Sequence, residues 1–560
     1  MTTFLQGRLR AAAYPLTVLG VLSLAGCGGG VGGEAPEQAM TLSQANLNCV
    51  QQPGETCNKV QATVMLYSKV TDQRPLWEEK PAAGTKVFDT VNRIKQADGS
   101  WLMDFSVRPD LAEGTYTGTV DFSVLVNPYP GTPNYQPRTA SYSITVAGMK
   151  GTLSPLRQLA GAADWEGYNG NAAHTGYVPV TLDAGTFTRR WSRKNTGSTA
   201  GSRTSISPLV TANGYVYFNE EMAIDDAAER FKYLYTYRLS ALSETDGVPA
   251  WQTELKLGYV LGAPGVAGNR LVMAGVNDVH TVDALSGARL AVVKPPNTNG
   301  LLVATSPLTA PTLFGGNVYL GGNNDVMRLD ATTGQTGWST SLDLPKLGNV
   351  DEWTPAVSAT TVYSNAAGTL TAYNIADGSK RFSVAVPGQV VGGSNKSALR
   401  QAPVLVDDNT VLLLNQRPFP GTSVDNSLSL VDAGTRSVRW TVNGRFTTQP
   451  VVARGVLYVG NDSGKVIEAR SVSDGAVLWT WPLASVGEEV LNGDLIVTNN
   501  LLFVAGGKST HALDLASHQA VWSYRLSGTL SLSRNGVLYI RSAQGAYAGN
   551  LGYLTAINVQ

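Results

Sequence analysis

Few side chains in this chain are equipped for chemistry. Its 560 residues hold four histidines and three cysteines. His174, His280, His511 and His518 are the candidate metal ligands. His280 and His511 each stand three residues before an aspartate, Asp283 and Asp514. Asp330, Asp432 and Asp514 each precede a turn, where a carboxylate acts either as a base or as an acceptor for nearby backbone N–H groups. Calcium needs several converging oxygen ligands, and no segment carries a dense cluster of them. Gly28, Gly30 and Gly33 spell a dinucleotide-loop pattern, but no strand precedes them and no helix follows, so they read as tether. The chain has neither a C-x-x-C-H haem motif nor a G-x-S-x-G nucleophile elbow.

The elements that would position these residues repeat. A phrase of strand, turn glycine and Trp is cleanest at Asp330-Ala-Thr-Thr-Gly334-Gln-Thr-Gly-Trp338, and weaker copies recur every forty or so residues. Units end at Trp251, Ala291, Trp338, Phe382, Trp440, Trp479 and Trp522. Each unit reads as four strands rich in Val, Tyr, Thr and Leu, separated by Gly, Asn and Asp, which is antiparallel hairpin chemistry. That period predicts propeller blades. After Trp522 three more strands follow without a Trp strand, and an orphan, Phe187-Thr-Arg-Arg-Trp191, precedes the first unit. Pairing the two predicts an eight-bladed ring closed by the N-terminal strand, with its sheet edges removed; the alternatives are an open array or a seven-bladed ring. In this register the Asp residues are turn residues. His280 and His511 fall in blades that are not neighbours, so they read as ordinary strand histidines rather than a joint metal site.

These residues resemble the quinoprotein-like (PQQ-like) β-propeller repeat, whose units end in Ala-x-Asp-x-x-Thr-Gly-x-x-x-Trp. The resemblance covers about 165–560 and includes a lead-in segment, Trp165-Glu-Gly-Tyr-Asn-Gly-Asn-Ala-Ala-His174-Thr-Gly. It implies that Trp191, Trp251, Trp338, Trp440, Trp479 and Trp522 each dock on a neighbouring blade. Ala291 and Phe382 replace Trp, and Arg436 and His518 replace the turn Gly, so those blades are expected to be less regular. Some members of this group are quinone-dependent dehydrogenases. One of those would carry an adjacent Cys pair, carboxylate and amide calcium ligands and an Asp base, whereas residues 165–560 contain no Cys. Others are scaffold lipoproteins of the outer-membrane β-barrel assembly machinery, with no cofactor. The chain must be placed between these kinds on its own residues, and on those it is read as having no catalytic, metal or cofactor-binding residues.

The front of the chain sets the compartment. Residues 1–27 read as a signal: Arg8 and Arg10, a short apolar run, then Leu24-Ala-Gly-Cys27, which resembles a lipobox with Cys27 as the lipidated residue. Residues 28–40 are a flexible tether, 41–148 an all-β unit whose alternation suggests an Ig-like sandwich, 149–164 a linker, and 165–560 the propeller. Cys49 and Cys57 flank a Pro-Gly turn in an oxidising compartment, where a disulfide is expected; the alternative is two independent thiols.

Lys plus Arg equals Asp plus Glu, at 42 each, and only 15% of residues are charged. That balance argues against nucleic acid as the principal partner. Long insertions fall on one face of the ring, between second and third strands and between blades, and such insertions often mark a binding face. The candidate contact residues there are Glu220, Glu221, Arg230, Lys346, Arg400, Arg417 and Phe419. The resulting reading is a non-catalytic, lipid-anchored outer-membrane scaffold, facing the periplasm or the cell surface, that binds envelope proteins such as the β-barrel assembly machinery. It uses no cofactor or small-molecule substrate. The alternatives are a surface module binding glycan or adhesive ligand, and a quinone-dependent dehydrogenase.

Overall fold

Strand residues dominate because the chain alternates β-branched and aromatic runs with turn formers. The computed structural model describes residues 40–560 apart from 52–56, 58–59, 67–73, 109–110, 112–113, 125–136, 147–152, 195–205, 225–233, 256–262, 276–277, 295–309, 323–324, 342–353, 367, 388–399, 416–424, 493–494 and 543–552. Two sheets form an N-terminal unit. One orders Met40–Asn46, Gln61–Leu66, Trp101–Val107 and Phe88–Lys95; the other orders Asn48–Gln51, Arg138–Val146, Gly114–Val124 and Pro75–Pro81. Both bury side chains in one core, including Val64, Met103 and Phe105 from the first and Val120, Phe122 and Ile144 from the second. The Cys49 and Cys57 sulfurs are bonded at 2.05 Å. The first strand begins at Met40, one residue inside the expected tether.

The rest of the chain is a β-propeller. Among the described residues it forms eight four-stranded antiparallel sheets, the fourth carrying an extra short strand at Arg400–Gln401. The first runs from Val210–Ala212 to Pro249–Leu255; the last comprises Thr529–Leu532, Val537–Arg541, Tyr553–Asn558 and, from the other part of the sequence, Thr188–Lys194. Ala556 pairs with Trp191 in that last sheet. The innermost strands touch in cyclic order, first to second and onward to the eighth, which touches the first. The burial pattern follows from stacking blades face to face. Thr410–Asn415, a second strand, is buried at every position, whereas Ser437–Gly444, the outer strand of the same blade, alternates exposed and half-buried.

The blades fasten to one another through the repeat's Trp. The indole Nε1 of Trp191 donates to Glu244 O at 3.0 Å, that of Trp251 to Ala284 O at 3.0 Å, that of Trp338 to Ile375 O at 3.1 Å and that of Trp440 to Val472 O at 2.9 Å. Each acceptor lies in the turn of the next blade. The turn glycine lies against the indole: a Cβ on Gly378, whose φ is +71°, would come 2.5 Å from two ring carbons of Trp338.

The departures from the repeat are as regular as the rest, contrary to expectation. All eight third-to-fourth strand pairs share a bulge at the same register, those of Ala291 and Phe382 included. Arg436 and His518 adopt the turn glycine's left-handed backbone, each at φ +56°. Their side chains take over the contact: His518 stacks on Trp479 with centroids 4.4 Å apart, and the Arg436 guanidinium lies 5.7 Å from the Phe382 ring centre. Where Ala291 stands, Val293 fills the space against Gly334. Trp522 departs in another way. Its buried Nε1 has no hydrogen-bond partner, and its ring packs on Phe187 and Tyr524. The eighth blade joins strands from distant parts of the sequence, so no turn between its third and fourth strands meets that indole.

Candidate functional site

The turn Asp residues are occupied by structure. Asp330 Oδ1 accepts the Thr332 and Thr333 N–H groups at 2.9 and 2.7 Å, and its carboxyl is held below the usual range by the Thr333 amide above all. The Thr435 amide, with Arg439 beside it, holds Asp432 down to about 2. Asp514 does the same with Ser517. These are carboxylates fixed as anions by backbone donors.

The lead-in segment crosses the ring axis. Its carbonyls at Trp165, Glu166, Ala172, Ala173, Thr175 and Gly176 accept N–H groups from Thr211, Val266, Val357, Leu405, Val452 and Val497, which lie on the innermost strands of blades one, two, four, five, six and seven. Blade three is reached through His174, whose Nε2 lies 3.4 Å from Thr312 Oγ1 while Nδ1 lies 2.9 Å from Pro403 O. His174 is fully buried, and that burial pushes its imidazole down to about 4, so it is neutral at physiological pH. Asn169 Nδ2 donates to the His174 carbonyl at 2.7 Å. The contacted strand residues sit next to the first-to-second strand turns. The segment therefore closes the axis on the face of the turns. A Cβ on Gly176, at φ +61°, would come 2.3 Å from Val451 Cγ1. Gly176→Val is therefore expected to lower the urea midpoint of the propeller, while Gly214→Val, also at positive φ but with open space around it, is expected to have the smaller effect.

The other histidines are apart. His280 lies on Val279–Asp283 in blade two, 3.4 Å from Asp278 Oδ2. His511 lies on Thr510–Asp514 in blade seven, and His518 in a turn. Among the described residues no three His, Cys, Asp or Glu side chains are grouped to hold a metal ion.

Glu220 is not a loop residue. Its strand, Tyr215–Ile224, continues past the expected loop start and pairs with Leu234–Ser243; Glu220 is buried and receives both the Nε and an Nη of Arg238. Glu221 and Arg400 lie on strands, Tyr215–Ile224 and Arg400–Gln401, and their side chains are outside the described set. Arg230, Lys346, Arg417, Phe419 and Cys27 lie outside the described residues.

On the long-connection face, the described link between blades six and seven is fastened by a residue sequence reasoning missed. Glu488 is buried, and its carboxylate accepts the amides of Lys508 at 3.0 Å and Ser509 at 2.9 Å. It also lies 3.4 Å from His511 Nε2, and His511 Nδ1 lies 2.7 Å from Ser523 Oγ. Acid, imidazole and hydroxyl stand in a row, but the acid is spent on two backbone donors. The row acts as a clamp tying the connection to the blade. A second missed cluster sits at the seam between blades eight and one. Glu244 accepts Asn535 Nδ2 at 2.5 Å and Tyr539 Oη at 3.2 Å, and burial drives its carboxyl up to about 7. Arg190 Nε donates to the Glu244 and Thr245 carbonyls at 3.0 and 2.7 Å.

A family model described as outer membrane protein assembly factor BamB matches residues 231–352 and 322–560. The tetrathionate hydrolase of Acidithiobacillus ferrooxidans is 22% identical over 270 residues, 46% of this chain and 51% of that protein. The chain thus spans about half the length of this curated relative. Among solved structures, BamB from Moraxella catarrhalis is similar at 15% identity and a TM-score of 0.46, covering 67% of this chain and 98% of that one. The quinohemoprotein alcohol dehydrogenase from Comamonas testosteroni is similar at 13% identity and a TM-score of 0.51, covering 71% and 81%. The second of these shows the shared propeller fold.

Proposed function

The chain belongs to the family described as outer membrane protein assembly factor BamB, and from that membership we propose that it is a non-catalytic scaffold of the bacterial outer membrane. In this reading it is anchored through a lipid on Cys27 and binds envelope proteins through the long-connection face of its propeller. The family match, which spans most of the propeller, is the observation that carries the reading. Two features of the fold support it. The repeat's Asp residues and Glu488 are committed to backbone amides, and the lead-in segment closes the turn face, directing recognition to the other side. The partners in this reading are proteins assembling outer-membrane β-barrels, met by Arg230, Lys346, Arg417 and Phe419.

Photocrosslinkers placed at Arg417 and Phe419 in cells, with controls on the turn face at Thr332 and Ser286, test it by mass spectrometry. Capture of β-barrel assembly subunits from the long-connection positions alone is the expected result. Equal capture from both faces, or none, sinks the proposed face. The tetrathionate hydrolase match favours an enzymatic alternative over part of the chain. Consumption of tetrathionate by the purified protein would overturn the non-catalytic reading.

A further inference from the structure

We propose that the N-terminal two-sheet unit braces the seam between the seventh and eighth blades, replacing the indole latch that is missing there. The seams on either side of blade one, and those following blades three and five, carry an indole-to-carbonyl bond. The seventh blade's Trp522 has no such acceptor. At this seam the N-terminal unit reaches the propeller from outside.

Arg525 is the hub. It directly follows Ala520–Tyr524, the outer strand of the seventh blade. Its Nη2 lies 2.7 Å from Asp104 Oδ2, and its Nη1 donates to the Cys57 carbonyl at 3.2 Å. Asp104 belongs to Trp101–Val107 in one sheet of the N-terminal unit. Cys57 is tied by its disulfide to Cys49 in the other sheet. One guanidinium thus holds one sheet directly and the other through the disulfide. Gln61 Nε2 holds the second carboxylate oxygen of Asp104 at 3.2 Å, which fixes the acid's orientation.

Across the seam, Arg189 on Thr188–Lys194, the outer strand of the eighth blade, donates through Nη2 to Leu111 O at 3.4 Å. The N-terminal unit therefore touches both sides of this seam, at Arg525 just past the seventh blade's outer strand and at Arg189 on the eighth blade's outer strand, which comes from a distant part of the sequence. The side chains of Arg525 and Asp104 are only 13% and 11% exposed. Removing one partner of so enclosed a pair leaves a charge without compensation, which makes the contact costly to break.

Hydrogen exchange on the full chain tests the brace, comparing the parent with Asp104→Asn and Arg525→Ala. The reporters are Thr188–Lys194, Ala520–Tyr524 and Tyr553–Asn558; the control is the sixth blade, Val451–Ala453 to Val477–Pro482. Faster exchange by about tenfold or more in the reporters, with the control unchanged, is the expected result. Gly114–Val124 and Arg138–Val146 report whether the N-terminal unit stays folded, and Arg525→Ala leaves that unit's own residues intact. Exchange that changes only in the N-terminal unit, or nowhere, overturns the proposal. So does a uniform rise in every blade, because the pair would then be a general stabiliser rather than a brace at one seam.

Discussion

Glu244→Gln is expected to stabilise the protein by about 2–3 kcal/mol at pH 8 and to leave it nearly unchanged at pH 4. The carboxyl's ordinary value is 4.5 and its folded value about 7, burial being the main cause. As pH rises from 4.5 to 7, the unfolded chain releases this proton while the folded chain keeps it. The folded state therefore loses stability across that window, and above it carries the full cost of a buried anion. An amide of the same shape escapes that cost and still accepts a hydrogen bond from Asn535 or Tyr539.

His174 works in the opposite direction. Its imidazole falls from 6.5 to about 4 on folding. As pH drops through that interval the unfolded chain gains a proton that the folded chain refuses, so stability is lost toward acid. Between pH 4.5 and 6.5 the two slopes oppose each other. In that window the unfolded chain holds the His174 proton and the folded chain the Glu244 proton, one each, so the parent's stability is flat as far as these two groups go. Removing either unmasks the other. Urea unfolding from pH 4 to 8 should show Glu244→Gln gaining on the parent as pH rises, and His174→Gln gaining on it as pH falls. A difference between Glu244→Gln and the parent that does not vary with pH would show that the carboxyl is not buried as described.

The propeller was legible because a repeat gives many copies of one register. Trp191 alone would say little, but beside seven other units it marks a missing fourth strand, and Ala556 pairs with it. Glu244 was harder to see. It stands where other blades have Ala284, Ala331, Ile375, Ala433, Val472 and Leu515, so a charge in an apolar column was the available signal. Glu220 misled because the insertion between the second and third strands was read as loop from Asn219, whereas the ladder continues through it and Arg238 pairs with it. Arg525 and Asp104 had no local signal: they meet only after both units fold. The histidines and turn carboxylates were placed correctly in the repeat, yet what each one bonds depended on neighbouring blades. Lead-in residues such as His174 bond strands far along the chain, which no pattern within the segment discloses.

Trp338→Ala is expected to cost about 3–5 kcal/mol, the range for deleting a large buried aromatic. The ring is 7% exposed, so nearly all of its surface is lost to packing. Its N–H bond to the Ile375 carbonyl goes as well, although Arg328 Nη1 also donates to that oxygen, at 3.2 Å, and limits the penalty. The turn beneath should be nearly as intolerant. Gly378→Ala forces an L residue to φ +71° and drives a Cβ to 2.5 Å from the indole, with Thr340 Oγ1 at 2.9 Å. Thr340 Oγ1 also donates to the Gly378 carbonyl at 2.7 Å, so the turn cannot move away without breaking a second fastening. His518→Gly makes the opposite change at the equivalent turn. It releases a left-handed residue from strain and gives up one stacked pair with Trp479, two terms of about 1 kcal/mol each and opposite sign. Its net effect should therefore be under about 1 kcal/mol. Urea unfolding of the three variants gives the order Trp338→Ala, Gly378→Ala, His518→Gly from most to least destabilised. If Gly378→Ala matched the parent, the turn would not be pressed against the indole, and the seams would owe their strength to the blade faces rather than to the Trp fastening.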